Sequence, residues 1–369
     1  MILIMKAVIT GGGTGGHIYP ALAVAEELKN RGWDILYLGS DHRMEAEIVP
    51  KSGFKFKELS VRPLPRNFSA KIISSIFYNF IAFLKAVIII RNFKADYVIG
   101  TGGFVAGPVV LAGALLRKKT IIHEQNAYPG ITNKLLAGVV DKICLNFSEA
   151  EKYLKVDPKK IEITGNPVRP KIINADRTKA YQQLNLDPKL KTILITGGSL
   201  GAEIINQNVI DVYKYAAKNK IQILHLSGKK NYNKVLENLR DNNINPNNQF
   251  INIIDYLDEM EYALAAADLI IARAGATGLA EITSCAKPSI LIPFAAAAEN
   301  HQLFNAQTLA EKNAAVVIKE SELNGKLLLK NVKEIIEDKR RLDEMSAAAA
   351  AMSQKNSLNN ILEVIRKLN

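Results

Sequence analysis

Short unbroken apolar runs alternate along this chain with longer stretches in which apolar residues recur every three or four positions. Residues 7–10 form the first run and read as a buried parallel strand. Behind them, residues 20–28 carry Ala, Leu, Val and Glu at helical spacing, with Pro20 suited to a first helical turn. The same alternation predicts strands over 34–38, 54–59, 96–99, 120–123, 142–146 and 161–164, and helices over 41–49, 72–93 and 109–116. Arg62-Pro63-Leu64-Pro65-Arg66 can hold no regular structure.

The pattern changes near residue 170, where residues 176–187 are polar and turn-rich and read as a linker extension. It restarts at 192–196 and supplies strands over 221–226, 250–254, 269–272 and 289–292, each separated by helical material. Residues 359–368 read as an amphipathic helix. Two consecutive βα arrays predict an α/β fold of two Rossmann-like domains facing across a cleft. The expected division is 1–168, 169–350, and a C-terminal segment, 351–369, that packs back on the first domain.

Glycine-rich turns punctuate both arrays. Gly11-Gly12-Gly13-Thr14-Gly15-Gly16-His17 follows the first strand, Gly100-Thr101-Gly102-Gly103-Phe104 the fourth, and Gly197-Gly198-Ser199-Leu200-Gly201 the strand at 192–196. Strand, glycine loop and helix place main-chain N–H groups where they can meet an anion, although a tight turn alone uses the same residues. His17 sits at the exit of the first loop, on the carboxyl edge where open α/β sheets place ligands. Glu124-Gln125-Asn126 ends another strand on that edge. In the second half, Gly275 and Gly278 open a helix, and Glu281 follows about a turn later, where a carboxylate can take both hydroxyls of a ribose. The blander reading is a small-residue helix start with one acid. Gln302 and Asn305 share a helical face and offer donors and acceptors suited to sugar hydroxyls, as an ordinary polar helix start also would.

Composition narrows the field. The 369 residues are 48% hydrophobic and 23% charged, which suits a globular protein with a full core and two domains. A formal charge of +12 calls for an anionic partner: a phosphorylated substrate, an anionic membrane surface or nucleic acid. The sequence has no RNA or DNA module and no aromatic-interleaved basic strand, which argues against nucleic acid. Cys144 and Cys285 lie far apart in apolar settings and read as buried free thiols in a reducing compartment. With no Asp-x-Asp and no metal-spaced His, Cys or carboxylate cluster, a diphosphate leaving group would be neutralised by helix N-termini, Ser199 and Arg169, with no cofactor or cation. Residues 11–16 also resemble a dinucleotide-binding pattern, but Gly39-Ser40 stands where a ribose-binding acid would end the second strand.

Residues 1–5 are too short, and lack the basic leader, for a signal peptide. No uninterrupted run of about 18 or more apolar residues requires a membrane span. Residues 72–93 nevertheless carry a wide apolar face (Ile72, Ile73, Ile76, Phe77, Phe80, Phe83, Leu84, Val87, Ile88) punctuated by Lys71, Lys85, Arg91 and Lys94. Such a helix packs on the sheet, rests an exposed patch on an anionic leaflet, or does each along part of its face.

Seven ordered segments, GGGTGGHIYPALAVAEEL, GTGGFVAGPV, HEQNAYPGITNK, GNPVR, TGGSLGA, ARAGATGLAEI and ENHQLFNA, resemble the MurG family of UDP-GlcNAc:undecaprenyl-diphospho-MurNAc-pentapeptide GlcNAc transferases. The resemblance runs from about residue 6 to about residue 310. It implies a GT-B fold and an inverting transfer of GlcNAc from UDP-GlcNAc to the 4-hydroxyl of MurNAc in lipid I, giving lipid II and UDP. It also implies a peripheral position on the cytoplasmic face of the bacterial membrane, with anionic inner-leaflet phospholipid and wall-synthesis and division proteins as partners. Carried over by motif, Thr14, Gly15, Gly16 and His17 would lie beside the acceptor, with Phe104 in the second glycine loop. Glu124 and Asn126 would line the cleft, Asn126 reaching toward the transferred sugar. Arg169 and Ser199 would meet the diphosphate, and Ala276 and Thr277 would approach the phosphates and sugar through main-chain groups. Glu281 would bind the ribose, Gln302 and Asn305 the GlcNAc hydroxyls, and main-chain atoms near Ile254 the uracil edge.

Inversion needs a base for the acceptor proton. His17 belongs to the residue type that titrates near neutrality, and Glu124 is its rival. Phe104 stands where the family usually has tyrosine, and alanine runs occupy 295–298 and 347–351. A related UDP-sugar transferase with another acceptor, or a non-catalytic nucleotide-sugar-binding scaffold, would share much of this sequence.

Overall fold

The computed structural model of the chain describes residues 4–63, 71–198, 200–246 and 248–368. Leu64, Pro65, Arg66 and Ser199, named above, lie outside the described residues. The chain divides into two compact units, Met1–Pro167 with Asn356–Asn369, and Val168–Lys355.

In the first unit the strands are β1 (Lys6–Thr10), β2 (Asp34–Ser40), β3 (Lys55–Leu59), β4 (Tyr97–Gly100), β5 (Lys119–Glu124), β6 (Lys142–Leu145) and β7 (Ile161–Ile163). They pair in parallel in the order β3-β2-β1-β4-β5-β6-β7. The helices between them are α1 (Gly15–Asn30), α2 (Met44–Lys51), α3 (Lys71–Phe93), α4 (Ala106–Leu115) and α5 (Ile131–Leu136). In the second unit come α6 (Pro170–Ile173), α7 (Arg177–Gln183), β8 (Thr192–Thr196), α8 (Glu203–Asn208), α9 (Ile210–Lys218), β9 (Gln222–Leu226), α10 (Tyr232–Asp241) and β10 (Ile251–Ile254). These are followed by α11 (Met260–Ala266), β11 (Leu269–Ala272), α12 (Ala276–Ser284), β12 (Ser289–Leu291), α13 (His301–Glu311), β13 (Ala315–Val317), α14 (Gly325–Ile336) and α15 (Lys339–Met352). This second parallel sheet has the order β10-β9-β8-β11-β12-β13, and α16 (Ser357–Lys367) returns to the first unit.

A parallel sheet is covered on both faces, so its strands are apolar throughout rather than alternating. Ala7, Ile9, Tyr37 and Ile99 face a layer made by Ile18, Val24 and Leu28 of α1 and Ile361, Val364 and Ile365 of α16. Val8, Leu36, Val98 and Ile122 face Ala82, Ala86 and Ile90 of α3 and Val109 and Val110 of α4. The Tyr97 hydroxyl donates to Ile365 O at 3.1 Å and Asn360 Nδ2 to Thr164 O at 3.2 Å, which fixes α16 against this sheet.

Several expectations need correction. Pro20 does not open α1: the helix starts at Gly15, and Pro20 falls in its second turn, forgoing the bond its missing N–H would have made. Residues 176–187 are not a linker. Asp176 caps α7 by accepting from Lys179 N at 2.8 Å, Ala180 and Tyr181 are buried, and Arg177 pairs with Asp268 at 2.5 Å. β2 continues through Gly39-Ser40, Gly278 lies inside α12 rather than before it, and β13 was not anticipated because three residues are too few to show a period.

Helix α3 packs on the sheet along one side and leaves large apolar residues exposed along another. Small residues make its inner side, where Ala82 and Ala86 allow close packing, while Ile73, Ile76, Phe77, Phe80, Leu84 and Ile88 are exposed. By length and composition Ile72–Phe93 could cross a membrane, with mean hydropathy 2.0, and 17% of that window is buried. Its polar side is tied to the preceding loop: Asn79 exchanges bonds of 3.0 and 2.9 Å with the Arg62 main chain, and the Ser75 hydroxyl donates to Pro63 O. A helix held in the core and to a polar loop along one side presents only its other side outward.

Candidate functional site

Strand order reverses beside β1 in the first sheet and beside β8 in the second, so the loops after β1, β4, β8 and β11 open at the switch points where such sheets bind ligands. In the first unit the two glycine loops pack main chain on main chain. Gly12 N–H points at Gly102 O at 3.4 Å, and a Cβ on Gly103 would lie 2.2 Å from Gly12 O. Gly103 also has φ of 79°, so both conformation and close approach require glycine there.

That packing brings Thr101 under the first turn of α1, where His17 lies. His17 Nδ1 is 3.0 Å from Thr101 O and 2.9 Å from Gln125 Oε1. A carbonyl oxygen only accepts, so Nδ1 carries the hydrogen, and in the neutral ring the lone pair is then on Nε2. The Thr101 hydroxyl donates to His17 O at 2.7 Å and locks the same pair a second time. Gln125 Nε2 lies 2.8 Å from Thr101 O, 3.1 Å from His123 O and 2.9 Å from His123 Nδ1, and its two hydrogens are shared among these three acceptors, which orients its oxygen toward His17. His123 Nε2–H in turn donates to Gly165 O at 2.8 Å. Burial pushes the His123 pKa from 6.5 down to about 4, so this ring is neutral at pH 7.

Glu124 is buried and saturated. Its Oε1 accepts from Asn126 N (2.9 Å) and Asn126 Nδ2 (3.0 Å), and its Oε2 from Gly130 N (3.0 Å) and Asn133 Nδ2 (2.8 Å). These four donors fill the lone-pair positions of a carboxylate and fold the segment after β5 around it. Thr14 caps α1 through its main chain and is exposed, Gly15 and Gly16 form the first helical positions, and the Phe104 ring lies against Gly13. The structure thus gathers Thr14, Gly15, Gly16, His17, Phe104, Glu124 and Asn126 at one sheet edge.

In the second unit, Arg169 and Glu281, expected to meet different parts of a ligand, pair with each other at 3.4 Å. Burial raises the Glu281 pKa and Arg169 opposes that rise. Ala276 and Thr277 are the first two residues of α12, whose cap Gly275 has open space where a Cβ would stand. Asn305 Nδ2 donates to Ala274 O at 3.2 Å, and Gln302 Oε1 accepts from Phe294 N at 3.0 Å. The alanine run at 295–298 is an exposed turn whose Ala295 N–H is held by Glu320, itself paired with Arg273 at 2.6 Å. Of the run at 347–351 in α15, only Ala349 is buried, so neither run places a polar side chain in the site. Ile254 ends β10, and its carbonyl accepts from Ser227 N at 3.0 Å. Behind it Asn206 Nδ2 donates to Ser227 O, His225 Nε2–H donates to Asn206 Oδ1, and the Tyr213 hydroxyl bonds His225 Nδ1. Ser199 lies outside the described residues.

Sequence reasoning did not single out Gln125, His123 or Asn133 as parts of the site. The available signal was position: all three stand within one quoted segment that begins at the carboxyl end of β5, next to the switch-point strand β4.

The arrangement is that of a two-domain nucleotide-sugar enzyme, and similarity to known proteins agrees. Residues 7–145 match the glycosyltransferase family 28 N-terminal domain, and residues 192–361 match the family 28 C-terminal domain. The chain belongs to glycosyltransferase family 28. It is 49% identical over 365 residues to the UDP-N-acetylglucosamine–N-acetylmuramyl-(pentapeptide) pyrophosphoryl-undecaprenol N-acetylglucosamine transferase of Halothermothrix orenii, covering 97% of this chain and 98% of the relative. The enzyme of the same description from Desulforamulus reducens is 42% identical, with 99% of each chain covered. Among solved structures, Acinetobacter baumannii MurG superposes with a TM-score of 0.77 at 28% identity, covering 98% of this chain and 99% of that one.

The buried His123 makes the first unit acid-sensitive. Its native pKa is depressed, so its contribution is fully present above pH 6.5 and is lost as pH falls through about 4. The gap corresponds to about 3 kcal/mol. Urea unfolding between pH 7 and pH 4 is expected to show this loss, and His123→Gln to flatten it.

Proposed function

We propose that the chain transfers GlcNAc from UDP-GlcNAc to the 4-hydroxyl of MurNAc in undecaprenyl-diphospho-MurNAc-pentapeptide, giving lipid II and UDP. The observation that carries this reading is His17, an imidazole with its Nδ1–H committed to Thr101 O and Gln125 Oε1 and its Nε2 lone pair left to act. As the acceptor oxygen attacks the anomeric carbon from the face opposite UDP, its proton passes to Nε2, the bond to the diphosphate oxygen breaks, and configuration inverts. The imidazolium that forms keeps two acceptors on Nδ1–H, which spreads its charge. Glu124 is the poorer base because four donors already occupy its oxygens, and it acts by holding Asn126 toward the transferred sugar.

Thr14, Gly15, Gly16 and Phe104 receive the acceptor. Phe104 contributes a ring face and no hydroxyl. On the donor side, the first turn of α12 with Ala276 and Thr277 presents N–H groups to the diphosphate, with Arg169 and Ser199 adding charge and a hydroxyl. UDP would give each member of the Arg169–Glu281 pair a new partner, phosphate oxygens for the guanidinium and ribose hydroxyls for the carboxylate. Gln302 and Asn305 bind GlcNAc hydroxyls, and the Ile254 main chain reads uracil.

A lipid-linked acceptor requires a membrane surface. The exposed Ile73, Phe77, Phe80, Leu84 and Ile88 stripe on α3, with Lys85 and Arg91 exposed nearby, suits peripheral docking on an anionic leaflet. Wall-synthesis and division proteins are the expected protein partners.

Incubation of the chain with labelled UDP-GlcNAc and a lipid I analogue is expected to give labelled lipid II, and His17→Ala to lose roughly 10²–10⁴-fold in kcat with donor affinity kept. No product from the wild type, with UDP-GlcNAc still bound, would assign another acceptor or a scaffold role. Phe77→Ser with Phe80→Ser is expected to weaken sedimentation with phosphatidylglycerol vesicles while sparing turnover on a soluble acceptor. Unchanged sedimentation would remove the patch from the account.

A further inference from the structure

The first glycine loop does not leave all of its N–H groups to a ligand. β2 ends at Ser40 and α2 begins at Met44, and this short connection folds Glu45 back over the strand end. Glu45 is 0% exposed. Its Oε1 accepts from Ser40 N at 3.2 Å and Ser40 Oγ at 2.5 Å, while its Oε2 accepts from Gly13 N at 3.0 Å. A Cβ on Gly12 would stand 2.2 Å from Glu45 Oε1, so the loop passes directly over the carboxylate. Beside it the Tyr37 hydroxyl donates to Gly11 O at 2.6 Å. Among the described ion pairs Glu45 has no cationic partner, and its contacts are N–H and O–H donors from the loop and the strand end.

A buried carboxylate is costly unless hydrogen bonds satisfy it, and bonds from N–H to an ionised oxygen are the strong kind. Gly13 has φ of 85° and no side chain, so its main chain is what a neighbouring group can hold at this residue. The next residue, Thr14, caps α1, and His17 follows in the first helical turn. One charge-assisted bond therefore fixes the loop immediately ahead of the residues that meet the acceptor.

We propose that Glu45 is a positioning residue for the acceptor half of the reaction, an internal anion that holds Gly13 N–H and through it sets Thr14 and His17. The proposal rests on the acceptor binding at this loop. Glu45→Gln keeps the volume but turns one acceptor oxygen into a donor, which must face either the Gly13 or the Ser40 N–H. The full-length variant is expected to lose roughly tenfold to a hundredfold in kcat/KM for a soluble lipid I analogue, with KM for UDP-GlcNAc within about twofold of wild type. Hydrogen exchange of the amides at 11–17 is expected to quicken. An acceptor kcat/KM within about twofold of wild type overturns the proposal, as does an equal rise in the donor KM. Glu45→Asp, which keeps the charge but shortens the reach by one methylene, carries the same expectations and serves if the amide variant does not fold. If the wild type does not transfer to this acceptor, the proposed function fails separately. Exchange at 11–17 then judges Glu45 alone: faster exchange in the variant upholds it as the holder of the loop, and unchanged exchange overturns it.

Discussion

The loop cluster of the first unit depends on where one carbonyl group points. Thr101 O faces both His17 Nδ1 and Gln125 Nε2, and so sets the tautomer of one side chain and the orientation of the other. That carbonyl is available only because β4 lies beside β1 in the sheet, and because glycines on both loops let the two main chains approach to within hydrogen-bonding range. The apolar core beneath sets the frame. Val8 and Ile9 of β1 and Val98 and Ile99 of β4 pair in register and are buried on opposite faces, so neither strand can slip without exposing both layers. The geometry of His17 is thus the outcome of strand order, glycine placement and burial acting together.

The second unit uses charge where the first uses main chain. Arg169 with Glu281, and Arg273 with Glu320, hold segments on either side of the first turn of α12, and Asn305 ties α13 to the residue just before that turn. Each of these pairs is partly buried, where removing one member strands the other. The buried chain from Tyr213 through His225 and Asn206 to Ser227 supports the end of β10 in a similar way, and burial keeps its histidine neutral by pulling the pKa to about 3. The candidate side chains in this unit are held by one another or by nearby main chain, which is the condition for a site organised before its ligand arrives.

Much of the fold was legible because parallel strands are short apolar runs closed by glycine, and this chain repeats that signature at β1, β4 and β8. What escaped had physical causes. α7 is polar along most of its length and owes its helix to the Asp176 cap and to burial of Ala180 and Tyr181, neither of which shows as a period. Two of the buried inner residues of α3, Ala82 and Ala86, are alanines, which a search for large apolar residues passes over. Exposed candidates such as Thr14 announce themselves as loop residues, whereas Gln125, His123 and Glu45 are buried polar groups that each have a partner far away in sequence, His17, Gly165 and Gly13 respectively. Their value comes from contacts that only the folded chain creates.

In the neutral ring His17 is held as the Nδ1–H tautomer, with Nε2 on the side left to accept a proton. Nitrogen-15 NMR of the full chain with labelled histidine, above the titration of the free ring, reads this directly. A pyrrole-type signal is expected for His17 Nδ1 and a pyridine-type signal for Nε2, with Gln125→Ala broadening or mixing the two. A pyridine-type Nδ1 in the wild-type protein would contradict it, because the nitrogen assigned to the acceptor's proton would then already carry one.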